Sequence, residues 1–96
     1  MDYQINNGTL RIYFSGDIDH HSAGEIRKET DKLILQFDPK EVVLNFRRVQ
    51  FCDSSGIAVV LGRYKLSIKE GFSLVLEELP LSVENIFRLS KIDNLV

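Results

Sequence analysis

Val42-Val43-Leu44-Asn45-Phe46, then Asp53-Ser54-Ser55-Gly56, then Ile57, Val60, Leu61, Tyr64 and Ile68: residues 42–71 decide how this chain folds. The first five form a short apolar run between polar segments, the pattern of a buried central strand. Asp53-Ser54-Ser55-Gly56 reads as a helix start, because Asp and Ser oxygens accept bonds from free backbone N–H groups there. The apolar residues after it fall at i, i+3, i+4, i+7 and i+11, the spacing of one helix face. Lys65 and Lys69 lie near the carboxyl end, where the helix dipole favours cations. Gly71 suits the left-handed residue that closes a helix.

Upstream, Tyr3–Asn6 and Thr9–Phe14 flank Asn6-Asn7-Gly8. Asn-Gly adopts positive φ cheaply, so the three residues predict a hairpin turn. Leu10, Ile12 and Phe14 alternate with Thr9, Arg11 and Tyr13, a half-buried strand that Gly16 is expected to break. Ser22-Ala23-Gly24-Glu25 fits a capping box. Ala23, Ile26, Thr30, Leu33, Ile34 and Phe37 then give one apolar helix face, and Asp38-Pro39 stops the helix. Downstream, Phe72–Leu76 reads as a strand and Ser82–Leu89 as a short helix after Pro80. Ile92, Leu95 and Val96 form an apolar tail expected to pack down. The order is β-β-α-β-α-β-α. A helix after each later strand implies parallel pairing, entered through one antiparallel hairpin. The expected fold is therefore α/β: a single mixed, mostly parallel sheet of about four strands with three or more helices packed on it.

With 96 residues, the chain is expected to form one domain, 1–96. Net charge is −2, and the densest basic stretch (Arg47, Arg48, Arg63, Lys65, Lys69) is interrupted by apolar runs. That argues against direct nucleic-acid binding, which needs a basic excess on one face. The single cysteine, Cys52, cannot form an intrachain disulfide, which suits a reducing compartment. Met1-Asp2-Tyr3-Gln4 has neither the basic start nor the apolar run of a secretory signal. No segment approaches the ~20 apolar residues of a membrane helix. The expected location is the cytoplasm, without membrane contact.

Three places could carry chemistry: Gly16-Asp17-Ile18-Asp19-His20-His21, Asp53-Ser54-Ser55-Gly56 and Gly62-Arg63-Tyr64-Lys65. The first two each lie where a strand gives way to a helix. Sites in open α/β sheets favour such loops, so the two are expected to be neighbours. Asp53 and Ser54 are ordinary helix caps, but a serine at a helix start also suits phosphorylation. A phosphate brings a charge of about −1.5 to −2, and free N–H groups and the dipole favour it there. The two readings are compatible. Ser54, His20 and Asp17 are the residue types of a hydrolytic triad, and Cys52–Gly56 is similar to a nucleophile elbow without its first glycine. His20 and His21 should point apart as neighbours on one element, and no ligand-spaced Cys or carboxylate accompanies them, so a metal site is not expected. Cys52 reads as an inert buried thiol, and Gly62 as a point of close helix packing.

Phe51–Lys65 resembles the phosphorylation-site helix of the STAS-domain anti-anti-sigma factors. Gly16–His21 resembles that family's Gly-acidic-x-Asp-His-His loop. The Gly-Arg-Tyr-Lys ending and the double His are most similar to the sporulation sigma-F antagonists. Cys52 stands where relatives often carry an apolar residue such as Met, and Lys91 where they commonly carry Gly. The resemblance implies a binding switch and no enzyme. The unmodified form would bind an anti-sigma factor serine kinase, which carries ATP and Mg, and free the sigma factor. Phosphorylation on Ser54 would end the complex, and a PP2C-type phosphatase would reset it. This chain would need no cofactor or metal of its own. Asp17, Asp19, His20, His21, Asp53, Ser55 and Gly56 would form the partner-binding face. A general-stress antagonist or scaffold serving another kinase is the alternative, and a small serine hydrolase a remote one. The wheel does not choose between Ser54 and Ser55: at about 100° per residue, Ser55 falls nearly opposite the apolar stripe and Ser54 nearer its edge. Ser54 is favoured as the expected N-cap and because the family acceptor directly follows Asp.

Overall fold

The computed structural model describes residues 1–91, so the expected packing of Ile92, Leu95 and Val96 lies outside the described residues. Its elements follow the expected order: β1 (Asp2–Asn6), β2 (Thr9–Ile18), α1 (Ala23–Phe37), β3 (Glu41–Cys52), α2 (Ser54–Glu70), β4 (Ser73–Glu77) and α3 (Leu81–Leu89). The strands form one sheet in the order β1-β2-β3-β4. β1 runs antiparallel to β2, and the other two pairings are parallel. The hairpin turn forms as expected, with Asn7 at φ 52° and Gly8 at φ 84°. Two left-handed residues in succession match the twist of the flanking strands.

Alternation builds the core. Leu10, Ile12 and Phe14 of β2 and Val42, Leu44 and Phe46 of β3 meet Leu33 and Ile34 of α1, Val59 and Val60 of α2, and Val83 and Phe87 of α3. Phe46 lies edge-on to both Phe14 and Phe87, with ring centroids 5.2 and 5.5 Å apart. That geometry sets positive ring edges against negative faces. The radius of gyration, 12.2 Å, is that of a compact chain of this length. Among the described residues no helix is long and apolar enough to cross a membrane.

Both central strands run past their expected ends. β2 continues through Gly16 to Ile18, and Gly16 adopts φ 75° beside a register shift instead of breaking the strand. β3 continues from Phe46 to Cys52. Its core-facing residues step by two through Val42, Leu44 and Phe46, then by three to Val49 and Cys52. Each step of three is a bulge, where β3 spends one residue more than β2. A period-two template loses the strand at that change of step.

α2 buries Gly56, Val59, Val60, Arg63 and Ser67, while Ile57, Leu61 and Tyr64 are only partly covered and Ile68 is 68% exposed. The buried stripe is thus rotated by about one residue from the expected one. Two residues outside the apolar pattern turn it. Gly56 lets the helix press onto Cys52, and Arg63 carries its guanidinium inward to Asp31. Gly62 is not a close-packing point, because a Cβ there would meet nothing within 4 Å. The capping box at α1 does not form either. Ser22 precedes the helix, but its hydroxyl donates to Asp17 O at 2.8 Å and accepts from the Asp19 N–H at 3.1 Å. Asp38 closes α1 in the left-handed region at φ 44°, and Gly71 closes α2 at φ 81°.

Candidate functional site

β2 and β3 are parallel and end together. Ile18 pairs with Cys52, and the Asp53 N–H donates to Ile18 O at 3.1 Å. The loop leading to α1 and the loop leading to α2 therefore emerge side by side, at the end of the sheet where α/β sites gather.

The first loop is shaped by Asp19. Its Oδ1 accepts the N–H groups of His21 at 2.9 Å and Ser22 at 3.0 Å, an Asx turn. The Ser22 N–H above all, then that of His21, holds the Asp19 carboxyl below its ordinary range. His20 and His21 are both exposed. Their rings stack, with centroids 4.4 Å apart and planes 23° apart, where neighbours on one element were expected to diverge. The tight turn at Asp19 brings them round. Asp17 is exposed at the end of β2, beside the half-exposed Phe51 of β3.

Asp53 is the N-cap of α2. Its backbone is extended, its Oδ1 accepts the Ser55 N–H at 2.7 Å, and its carbonyl accepts the Gly56 N–H at 3.0 Å. Ser54, expected as the cap, is instead the first residue of the helix. It is exposed, and among the described residues its hydroxyl has no hydrogen-bond partner. Ser55 is half-buried and lines a groove of about 320 Å³ between the first turns of α1 and α2, with His20, Ala23, Gly24, Arg27, Ala58 and Val59. The rotated stripe of α2 reverses the exposures expected from the helical wheel. Gly56 is buried and supports the loop from beneath: a Cβ there would run into Cys52 Sγ. The Cys52 thiol is 3% exposed, and burial, helped by the charge of Asp53, pushes its pKa up to about 11. At neutral pH such a thiol is protonated and unreactive.

The structure thus brings Asp17, Asp19, His20, His21, Asp53, Ser54 and Ser55 to one end of the sheet, with Gly56 below them. Among the described residues no group of three or more His, Cys, Asp or Glu could hold a metal ion, and no hydrogen bond joins Ser54 to His20, His21 or Asp17. Gly62-Arg63-Tyr64-Lys65 was a candidate for chemistry and Arg63 part of the basic stretch, but the burial of Arg63 was not expected. Its side chain is 6% exposed and its Nε lies 2.9 Å from Asp31 Oδ1. The local sequence carried no signal for it, because the burial depends on Asp31 of α1, distant in the chain.

The STAS domain family model matches residues 1–96. An anti-sigma F factor antagonist of Paenibacillus polymyxa is 37% identical over 71 residues, 74% of this chain but only 61% of the relative's length. One of Lysinibacillus sphaericus is 30% identical over 87 residues, 90% of this chain and 74% of the relative. The fold superposes on the anti-sigma factor antagonist SpoIIAA in its unphosphorylated form with a TM-score of 0.81, at 28% identity over 97% of this chain and 84% of that one. It superposes on SpoIIAA of Bacillus in the phosphorylated form with a TM-score of 0.73, at 27% identity over 97% of this chain and 86% of that one. A domain model spanning the whole chain, relatives of one kind and a shared fold lead to one conclusion: this chain belongs to the STAS-domain anti-sigma factor antagonists.

Proposed function

We propose that this chain antagonises an anti-sigma factor through the face built from the Asp17–His21 loop and the start of α2, and that phosphorylation on Ser54 switches it off. The unmodified chain binds an anti-sigma factor kinase loaded with ATP and Mg, and the sigma factor is freed. The kinase then transfers phosphate to Ser54, the complex separates, and a PP2C-type phosphatase restores the binding form. The chain itself is a regulator, neither an enzyme nor a nucleic-acid binder.

One observation carries this reading: Ser54 is exposed, its hydroxyl unengaged, at the first residue of a long helix. A phosphate there gains from the helix dipole, so the fold tolerates it. The same phosphate adds about −1.5 to −2 charge beside Asp53 and near the loop that carries Asp17 and Asp19. At a docking face, that charge and bulk cost contact energy on both sides. Half-buried Ser55 is the poorer acceptor because a kinase must reach its hydroxyl. A relative solved in a phosphorylated form supports modification as the control.

Binding experiments with the partner test the proposal. Ser54→Ala should bind the ATP-loaded anti-sigma factor as wild type does and displace sigma without being inactivated over time. Ser54→Asp should bind at least about tenfold more weakly, a smaller effect than phosphate because it adds only one charge. Equal binding by the Ala and Asp variants would contradict the role given to charge at this position.

A further inference from the structure

The first bulge of β3 lies between Asn45 and Arg48. Opposite it, β2 advances only from Tyr13 to Ser15. A bulge leaves a residue outside the ladder, and its N–H must find another acceptor. Asn45 supplies one: its Oδ1 accepts the Arg47 N–H at 2.9 Å. The other end of the same side chain is held as firmly. Nδ2 donates to Glu77 Oε2 at 2.8 Å and to Glu78 Oε2 at 2.6 Å. Glu77 is fixed in turn by Arg11, whose Nε and Nη2 donate to its two oxygens at 3.0 and 3.1 Å. Glu78 sits at φ 53°, a costly conformation that its bond to Asn45 helps to maintain. Asn45 is 1% exposed although Leu44 and Phe46, its neighbours, take the core side. A buried amide with donor and acceptor ends both engaged is rigid, and here it joins β2, β3 and the end of β4.

We propose that Asn45 is a positioning residue for the Ser54 switch: it holds the bulge that sets the register in which the ends of β2 and β3 meet. The inference rests on Ser54 being the phosphoacceptor. Without this bulge, Ile18 would face Phe51 in place of Cys52. A one-residue slip turns every following side chain to the opposite face. Cys52, the seat of Gly56, would leave the core, and Ser54 would shift along the strand by about 3.3 Å relative to the Asp19 loop. Asn45 touches none of the residues that meet the partner, so it acts only through this geometry.

The test is Asn45→Asp in the full chain, alone and with Glu77→Gln. Aspartate keeps an acceptor for the Arg47 N–H but loses the donor and faces two carboxylates. Glutamine at position 77 returns a donor to Asn45→Asp and keeps an oxygen for Arg11. Two readouts are taken: backbone amide resonances, which need no partner, and kcat and KM for phosphorylation by the anti-sigma factor kinase. Asn45→Asp should displace the resonances of Asp17–Asp19 and Cys52–Gly56 and lower kcat/KM about tenfold, mostly in kcat, and the double variant should recover to within about threefold. Displacements confined to Arg11, Asn45–Arg47, Glu77 and Glu78 would overturn the proposal, as would an unchanged rate or no recovery. If Asn45→Asp does not fold, Asn45→Ala, which adds no charge, must displace the same site resonances. A wild-type chain that the kinase leaves unphosphorylated defeats the Ser54 reading, while the resonances still judge Asn45.

Discussion

Gly56 and Gly62 share a helix and do opposite things. Gly56 is buried where any Cβ would strike the Cys52 sulfur, and Gly62 has open space around it. Gly56→Ala should therefore overpack a rigid contact and cost about 1–3 kcal/mol. Gly62→Ala should stabilise the chain by up to about 1 kcal/mol, since a helix interior disfavours glycine and nothing here requires it. Urea midpoints read both, and a loss of stability in Gly62→Ala would mean that α2 packs differently. Asp19 makes a second residue-scale prediction. Its carboxylate is stabilised by the turn N–H groups, so its pKa in the folded chain lies below the ordinary value of about 3.9. The turn then gains from that charge above pH ~3.9 and loses the gain as pH falls through the lower, folded pKa. At pH 4 the His21 and Ser22 amide resonances should still be native, and the Asp19 carboxyl should titrate with a midpoint below 3.9. A midpoint at or above that value would show that the turn bonds do not persist in solution.

Between elements, α1 and α2 are tied by one buried charge. Arg63 Nε lies 2.9 Å from Asp31 Oδ1, yet the N–H is not aimed at the oxygen and forms no hydrogen bond, so the attraction is Coulombic. Burial above all, then the push of Arg27, lowers the Arg63 pKa from its ordinary value against the opposing pull of Asp31. Asp31→Ala would strand that cation inside the protein. Loss of one partner of a buried pair costs about 3–5 kcal/mol, and the partial exposure of Asp31 puts this case nearer 2–3. Asp31→Leu with Arg63→Met should lose less than Asp31→Ala alone, and thermal unfolding would show it. Equal stability of wild type and Asp31→Ala would remove the ion pair from the account. Elements were legible in the sequence wherever one physical rule governed a whole segment. Alternation found β2, a short apolar run found the first half of β3, and Asp38-Pro39 and Gly71 marked the ends of the long helices. The second half of β3 was illegible because bulges change its period from two to three. The facing of α2 was misread because the burial of Arg63 depends on Asp31, distant in sequence, and of Gly56 on Cys52 beneath it.

Across the whole molecule, the arrangement follows from the parallel pairing of β2 and β3. Parallel strands deliver their carboxyl ends to the same edge, so residues far apart in sequence, Asp17–His21 and Asp53–Ser55, share one surface. Local pattern could place both loops after strands, and resemblance supplied their roles. Neither could give the exposure of Ser54 against Ser55, because that depends on how α2 is turned by the core below it. Mapping the phosphate after incubation with the anti-sigma factor kinase, ATP and Mg tests the central claim most directly. Peptide sequencing by mass spectrometry should find one phosphate per chain, on Ser54. Phosphate on Ser55 with Ser54 unmodified, or a chain that takes up none, would contradict the account.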